Sequence, residues 1–418
     1  MMEFKNFTEE KVKEFSEKQK DAVWLKELRK KSYAAFQRLE VPVTDEDWRR
    51  VDLSAVPFEK FHVAQNGGSF QPLLNKGTAA GSDPIYSGLI FTTFEEMLKQ
   101  HPDILEQYLM RGLPLEMGKF EALHGAFLTG GAFLYVPKDS SVSVPFTAAH
   151  RIAKGQNSVF PHTVVVVDEG SKVVFIDDFN LNGAMPEGDA FCGAAVEIYL
   201  KKSAKLEYVH LQRWGNTVTH FFTQKAHLED GSSLTSLTLS LGGRLTKGHI
   251  ESIVEGKGAT SYLYGLVVGD GRQQFNHNTL QDHRAQETES DQLFKAALKD
   301  ESKSVFIGNI RVRKSGGGTN AYQANRNLLL SKGATSDSIP TLEIEANDVK
   351  CTHGSATGGL DEETLFYLRS RGIPRKSAEN MLVEGFFEDV LLKLSDESVR
   401  EKLRGVLYEK FEGNRAGG

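Results

Sequence analysis

The stretch HTVVVVDEGSKVVFIDDF, residues 162–179, holds two β-branched runs separated by a polar turn at Glu169-Gly170-Ser171. Valine and isoleucine crowd a helix but fit a pleated sheet, so both runs read as strands. The same grammar recurs in AAVEIYL (194–200), SLTSLTLSL (233–241), SYLYGLVVGDG (261–271) and SVFIGNIRV (304–312). Further polar turns fall at Lys202-Ser203-Ala204, Asp230-Gly231-Ser232, Lys257-Gly258-Ala259, Glu301-Ser302 and Lys332-Gly333-Ala334. Counted at Gly170, Ser203, Gly231, Gly258, Glu301 and Gly333, the intervals are 33, 28, 27, 43 and 32 residues. A period near 30, made only of strands and turns, predicts a β-solenoid in which each coil stacks on the last. An antiparallel sandwich would turn about every 8–12 residues instead.

Helical periodicity flanks this region on both sides. Residues 8–40 carry Trp24, Leu25, Leu28, Phe36 and Leu39 at helical spacing, and Pro42 closes the run. In TDEDWRRVDL (44–53), Thr44 is placed to cap and Trp48 to anchor, while 54–90 reads as an irregular crossing. A second helical patch, 93–112, is marked by Phe94, Met97, Leu98, Ile104, Leu105 and Tyr108, with Pro102 breaking it. After Gly359, Asp361 can cap a helix that starts with Glu362 and Glu363 and ends near Arg369, Arg371 and Gly372, before Pro374. Two more helices follow: 375–394 with a stripe of Ala378, Leu382, Phe386, Val390 and Leu394, and 396–412 with Val399, Leu403, Val406 and Phe411. These stripes are expected to pack on one another or on the solenoid end, where an open sheet edge needs cover. The layout is mainly β, divided as 1–120, a core at 121–359, and a helical region at 360–418.

Composition narrows the function classes. The net charge of −6 argues against nucleic acid or an anionic membrane as the main partner. No apolar run approaches the roughly 20 residues of a membrane span. The opening MMEFKNFTEEKVKEF mixes acids and lysines without an apolar stretch, unlike a secretory signal, and two distant cysteines suit a reducing cytoplasm. Phosphate-cradling and dinucleotide glycine loops are absent, as is G-x-S-x-G, so the chain is not expected to hydrolyse ATP by itself. His277 and His283, among Asp282, Glu287 and Glu289, read as solvated rather than as a metal site. Asp177-Asp178 could belong to a polysaccharide-cleaving β-helix but reads better as an ordinary acidic turn, and Cys192 reads as a small core residue.

Cys351 and His353 stand two apart, so in an extended segment both project to one face, about 7 Å apart. A thiolate beside an imidazole can hold iron or sulfur, or make a reactive thiol. The plain alternative is a buried cysteine beside a surface histidine.

Three segments, AYQANRNLLLSKGA (321–334), PTLEIEANDVKCTHGSATGGLDEETLFYLRSRGIPRKSA (340–378) and EGFFEDVL (384–391), resemble the SufB/SufD family of scaffold subunits in the SUF iron–sulfur cluster assembly system. DHRAQETESDQLFKAALKDESKSVFIGNIRV (282–312) does so too, and EDWRRVDL (46–53) and LTGGAFLYVPKDSSVSVP (128–145) more loosely. The resemblance implies a right-handed parallel β-helix core between N- and C-terminal helical regions. It implies pairing of SufD-type with SufB-type chains through the β-helices, docking of the ATPase SufC on the C-terminal helices, and a cysteine desulfurase as sulfur source. The family's cysteine and histidine match Cys351 and His353, as interface groups in cluster formation. The ATPase-docking surface falls within about 360–395, around Phe366, Tyr367, Arg369 and Arg371. ATP would act only through SufC, and a transient cluster would be shared with SufB. An isolated chain of this type can form a homodimer. SufB-like chains carry a cysteine where this chain has Ala334, and Glu-His where it has Thr352-His353, so it sides with SufD and would hold no cluster alone. A cluster wants about four protein ligands, and one cysteine with one histidine makes half a site. A carbohydrate-active β-helix, a SufB-like cluster-carrying subunit, and a purely structural role without chemistry at Cys351 or His353 are the other readings.

Overall fold

In the computed structural model, which describes residues 3–63, 73–75, 88–152, 157–180 and 188–412, the repeat closes into a parallel β-solenoid of about eight turns. Each coil gives one strand to each of two sheets. The first sheet runs through Lys172–Asn180, Lys205–Arg213, Ser233–Ser240, Thr260–Gly269, Glu289–Leu298, Asn320–Leu329 and Lys350–Gly358. The second runs through Gly130–Val136, Pro161–Val167, Ala190–Leu200, Val218–Leu228, Leu245–Val254, Gln274–His283, Lys303–Val312 and Thr335–Ile344. Neighbours are parallel and in unbroken register: Thr260 faces Glu289, Glu289 faces Asn320, and Asn320 faces Lys350. At the N-terminal end each sheet is finished by an antiparallel strand, Leu73–Asn75 and Ile90–Thr93.

One corner of the coil repeats in detail. Gly170, Ser203, Gly231, Gly258, Glu287 and Gly318 all hold left-handed φ, between 58° and 79°. Their amides stack coil on coil: the Gly231 N–H donates to Lys257 O, Gly258 to Gln286 O, and Glu287 to Gly317 O. The irregular interval of 43 residues now has a physical explanation. Glu287 is the corner that follows Gly258, whereas Glu301 lies at the opposite corner, so the interval spans about one and a half coils.

Both outer faces are covered by helices. α1 (Glu9–Gln19), α2 (Val23–Arg38), α3 (Phe94–Gln100), α4 (Pro102–Tyr108) and α5 (Lys119–Phe127) lie on the N-terminal side. There Phe7, Phe36, Phe58 and Phe120 pack on Phe160, Phe191, Phe221 and Leu245 of the second sheet's side. Phe94, Met97 and Leu105 pack on Val164, Val166 and Ala195. Thr8 caps α1 by accepting the Lys11 N–H, and Pro102 opens α4 at its first turn. Thr44 caps no helix: 44–50 is a run of bends and turns. Trp48 still anchors it, stacking on Phe120 at 4.9 Å. Most of the expected crossing at 54–90 lies outside the described residues; its described start holds two single 3-10 turns, Leu53–Ala55 and Phe58–Lys60.

α6 (Glu362–Ser370), α7 (Arg375–Leu391) and α8 (Glu397–Glu412) sit on the other flank. Val383, Phe387, Leu403 and Leu407 pack against Val209, Leu211, Leu237 and Leu239 on the outer face of the first sheet. The helices therefore do not cap the solenoid end. The buried line of α7 is rotated from the expected stripe, with Leu382 and Phe386 only half-buried. Lys295 from the sheet fixes this contact, its Nζ donating to Phe386 O and to Asp389, both at 2.6 Å.

The solenoid interior corrects two readings. His277 and His283 are buried, not solvated, and bond Ser240 (2.9 Å) and Thr288 with Ser290 (2.8 and 2.9 Å) respectively. Asp177 and Asp178 form no acidic turn; they sit in a strand and point to opposite faces. Asp177 lies inside with His150 at 2.6 Å and Tyr208 at 2.9 Å, and Asp178 lies outside, paired with Arg213 at 2.7 Å. Cys192 is fully buried, as expected.

Candidate functional site

The last coil differs from those below it. Thr335–Ile344 and Lys350–Gly358 end the two sheets, so each offers one row of backbone N–H and C=O groups without a strand beside it among the described residues. Nearly every residue of both strands is exposed or half-buried, while the preceding coils are buried. A long exposed edge is a template for another chain unless something covers it.

Register decides where the sequence-predicted pair points. Cys351 sits beside Ala321, His353 beside Gln323, Ser355 beside Asn325 and Thr357 beside Asn327. Those four partners are buried while Tyr322 and Arg326 between them are exposed, so the column faces the interior. Cys351 and His353 therefore share one inward row at the open end of the solenoid. Cys351 is half-buried against Ile310, Val312, Ala321 and Leu342. Burial raises its thiol pKa, so it needs a metal or a cation beside it to act as a thiolate at neutral pH. His353 is exposed. Beneath it, Gln323 donates to Thr341 O at 3.3 Å, and its own amide oxygen, like Ser336 Oγ and Ser338 Oγ, is buried without a protein partner. Such groups are left to solvent or to a docked chain.

Cys351 and His353 are two donors, against the four or so that a cluster usually takes. Among the described residues no group of three or more histidines, cysteines and acids is arranged to hold a metal ion. Ala334, where the resemblance to SufB-like chains would place a cysteine, is buried in the turn before the last strand of the second sheet. Thr352 is exposed on the strand face opposite to Cys351 and His353.

The four C-terminal residues gather separately, on α6 and just after it. Asp361 caps α6, accepting the Glu363 and Thr364 N–H groups, and Gly372 ends it at φ 86°. Leu365 is the helix's buried residue, leaving Phe366 at 72% and Tyr367 at 55% exposure. The Arg371 guanidinium lies 5.2 Å from the centre of the Tyr367 ring, and Arg369 is exposed. An apolar and cationic patch of this kind on a surface helix suits protein docking. Sequence reasoning missed the polar column Gln323, Asn325 and Asn327 under the pair. Its alternation is visible in AYQANRN once the strand's inner face is known.

Two comparisons with known proteins bear on this geometry. The family model for the SUF system FeS cluster assembly SufBD core domain matches residues 150–386. The chain belongs to the SufB/SufD family. SufD of Bacillus subtilis is 27% identical over 97% of this chain and 98% of its own length. SufB of the same organism is 28% identical, over 78% of this chain and 70% of its own. A SufBD family protein of Staphylococcus saprophyticus is 25% identical over 98% of this chain. SufD-type similarity thus runs nearly end to end, including the N-terminal helices. Among the described residues no helix is long and apolar enough to cross a membrane.

Proposed function

We propose that this chain is a SufD-like, non-enzymatic scaffold subunit whose open solenoid end pairs with a SufB-like chain to complete a cluster-assembly site. The observation that carries this reading is the pair of uncovered strand edges with Cys351 and His353 in one inward row between them. Strand edges pair readily with another chain. A shared site also supplies the ligands that two residues cannot. Cys351 is then a thiolate ligand or sulfur acceptor, and His353 a ligand or proton-managing neighbour. Phe366, Tyr367, Arg369 and Arg371 form the docking face for the ATPase SufC, which brings the only ATP site. A cysteine desulfurase supplies sulfur, the cluster is cargo rather than a resident cofactor, and the setting is the cytoplasm. The carbohydrate-enzyme reading loses its acid pair, because Asp177 and Asp178 face opposite sides of one strand.

The test is reconstitution with a SufB-like chain, SufC and a desulfurase. His353→Ala should assemble normally by size exclusion but accumulate no bound iron and sulfide. Phe366→Ala with Tyr367→Ala should lose SufC while keeping the SufB-like partner. Normal cluster yield from His353→Ala overturns the site assignment.

A further inference from the structure

The outer face of the second sheet carries a cavity of about 390 Å³, where residues 42–48 and α5 arch over strands Val218–Leu228 and Leu245–Val254. Its walls include the rings of Trp48, Phe120, Phe191 and Phe221. Trp48 stacks on Phe120 and meets Phe221 nearly edge-on at 5.3 Å. Lys247, only 2% exposed, stands in this lining. Its Nζ donates to Asn278 Oδ1 at 2.5 Å and lies 5.2 Å from the Trp48 ring centre. No carboxylate comes within ion-pair distance of it among the described residues.

An ammonium buried from water and unmatched by a carboxylate loses its hydration, and the single Trp48 face beside it offsets only part of that loss, which favours the neutral amine. Burial brings Lys247 down to about 8, against a smaller opposite pull from Asp47 on the covering loop and Glu121 on α5. The cavity also holds Asp45 and Glu46 of the covering loop and Lys119 of α5, whose Nζ is turned to Phe36 O and Leu39 O. Three histidines stand nearby: His249 on Lys247's own strand, His124 on α5 and His277 on the next strand. His124 and His277 are kept neutral by burial, so neither adds a second cation near it.

We propose that Lys247 is a nucleophilic amine and that this cavity takes a small, neutral aromatic aldehyde or ketone, held as a Schiff base. The amine lone pair attacks the carbonyl carbon to give a carbinolamine. The carbonyl oxygen then leaves as water, carrying both amine protons, and a C=N bond remains. No oxidant or reductant is needed. Partly open clefts of this size with aromatic walls hold ligands of about one or two rings. The Trp48 and Phe221 walls suit a ring, and Nζ suits the carbonyl end. Asp45, Glu46, Asp47 and Glu121 outnumber the two lysines of the lining, Lys119 and Lys247, and disfavour an anion. A desolvated lysine in an apolar pocket is an established form of amine nucleophile.

The test uses the intact chain, benzaldehyde as probe and cyanoborohydride to trap the imine, with adducts mapped by peptide mass spectrometry. At pH 8, Lys247 should be benzylated at least about 10-fold faster than the average surface lysine, because far more of it is neutral. Its rate should rise to half-maximum near pH 8, and anionic 4-carboxybenzaldehyde should react more slowly. Lys247→Arg should remove that adduct alone. Labelling of Lys247 at the surface rate in the unmodified chain overturns the site, whether or not the variant folds. Equal labelling by the two aldehydes overturns the assignment of a neutral ligand.

Discussion

Glu197 sits fully buried on the outer face of the second sheet and ties the N-terminal helices to the solenoid. Its carboxylate accepts the N–H groups of Met110 and Gly112 and the Tyr199 hydroxyl, and lies 2.9 Å from His162 Nε2. His162 in turn meets His124 at 3.0 Å, and His124 donates to Gly193 O. Removing a carboxylate that satisfies several buried donors strands them all, at about 3–5 kcal/mol. Glu197→Ala should lower the urea-unfolding free energy by about that amount, and Glu197→Gln by less. A loss under about 1 kcal/mol would show that the donors find other partners. AAVEIYL marked this residue's strand but not its role. Its two backbone donors, Met110 and Gly112, come from more than 80 positions away, and no local pattern encodes them. Cys351 and His353 differ in this respect: i and i+2 already fixed a shared face, and the tertiary register only decided that the face is inward.

At the scale of the element, the corner of the coil is set by backbone conformation. Left-handed φ costs a side-chain-bearing residue about 1 kcal/mol that glycine does not incur. Gly258 has open space where a Cβ would stand, so strain from its φ of 68° is the sole expected penalty there. Gly258→Ala should therefore destabilise by about 1 kcal/mol, and Glu287→Gly at the equivalent corner should stabilise by a similar or smaller amount, read from thermal melts. If both substitutions shift stability the same way, the corner equivalence is wrong. The corner glycines made the coil period legible. Glu287 hid one corner because a charged residue gives no turn signal. The helix stripes were legible as amphipathic but not their seat. Val383 and Phe387, rather than Leu382 and Phe386, meet the sheet because Lys295 and Asp389 set the rotation of α7.

Across the whole molecule, five histidines are held neutral inside. Burial lowers His124, His220 and His277 to about 3 and His283 to about 4, and depresses His210 strongly, between Phe179 and Phe222 rings. Their folded pKa values lie below the unfolded value of about 6.5, so the unfolded chain binds more protons in between. The stabilisation is complete above about pH 6.5 and is lost as pH falls toward 4, each group contributing about 1.4 kcal/mol per pH unit. The urea midpoint should thus drop steeply between pH 6.5 and 5, with about three or more protons taken up on unfolding. An uptake below one proton would contradict the burial of these side chains. The sequence by itself determined the coil repeat, its helical flanks and the Cys351–His353 pair, because residue spacing along a strand or helix is a local property. Only the tertiary structure decided that the C-terminal helices lie along the flank and leave the last coil open. It also decided that His277 and His283 are interior, and that Lys247 faces a cavity rather than water. Those outcomes depend on which faces meet across the stacked coils, and burial is a property of the assembled layers that no single segment carries.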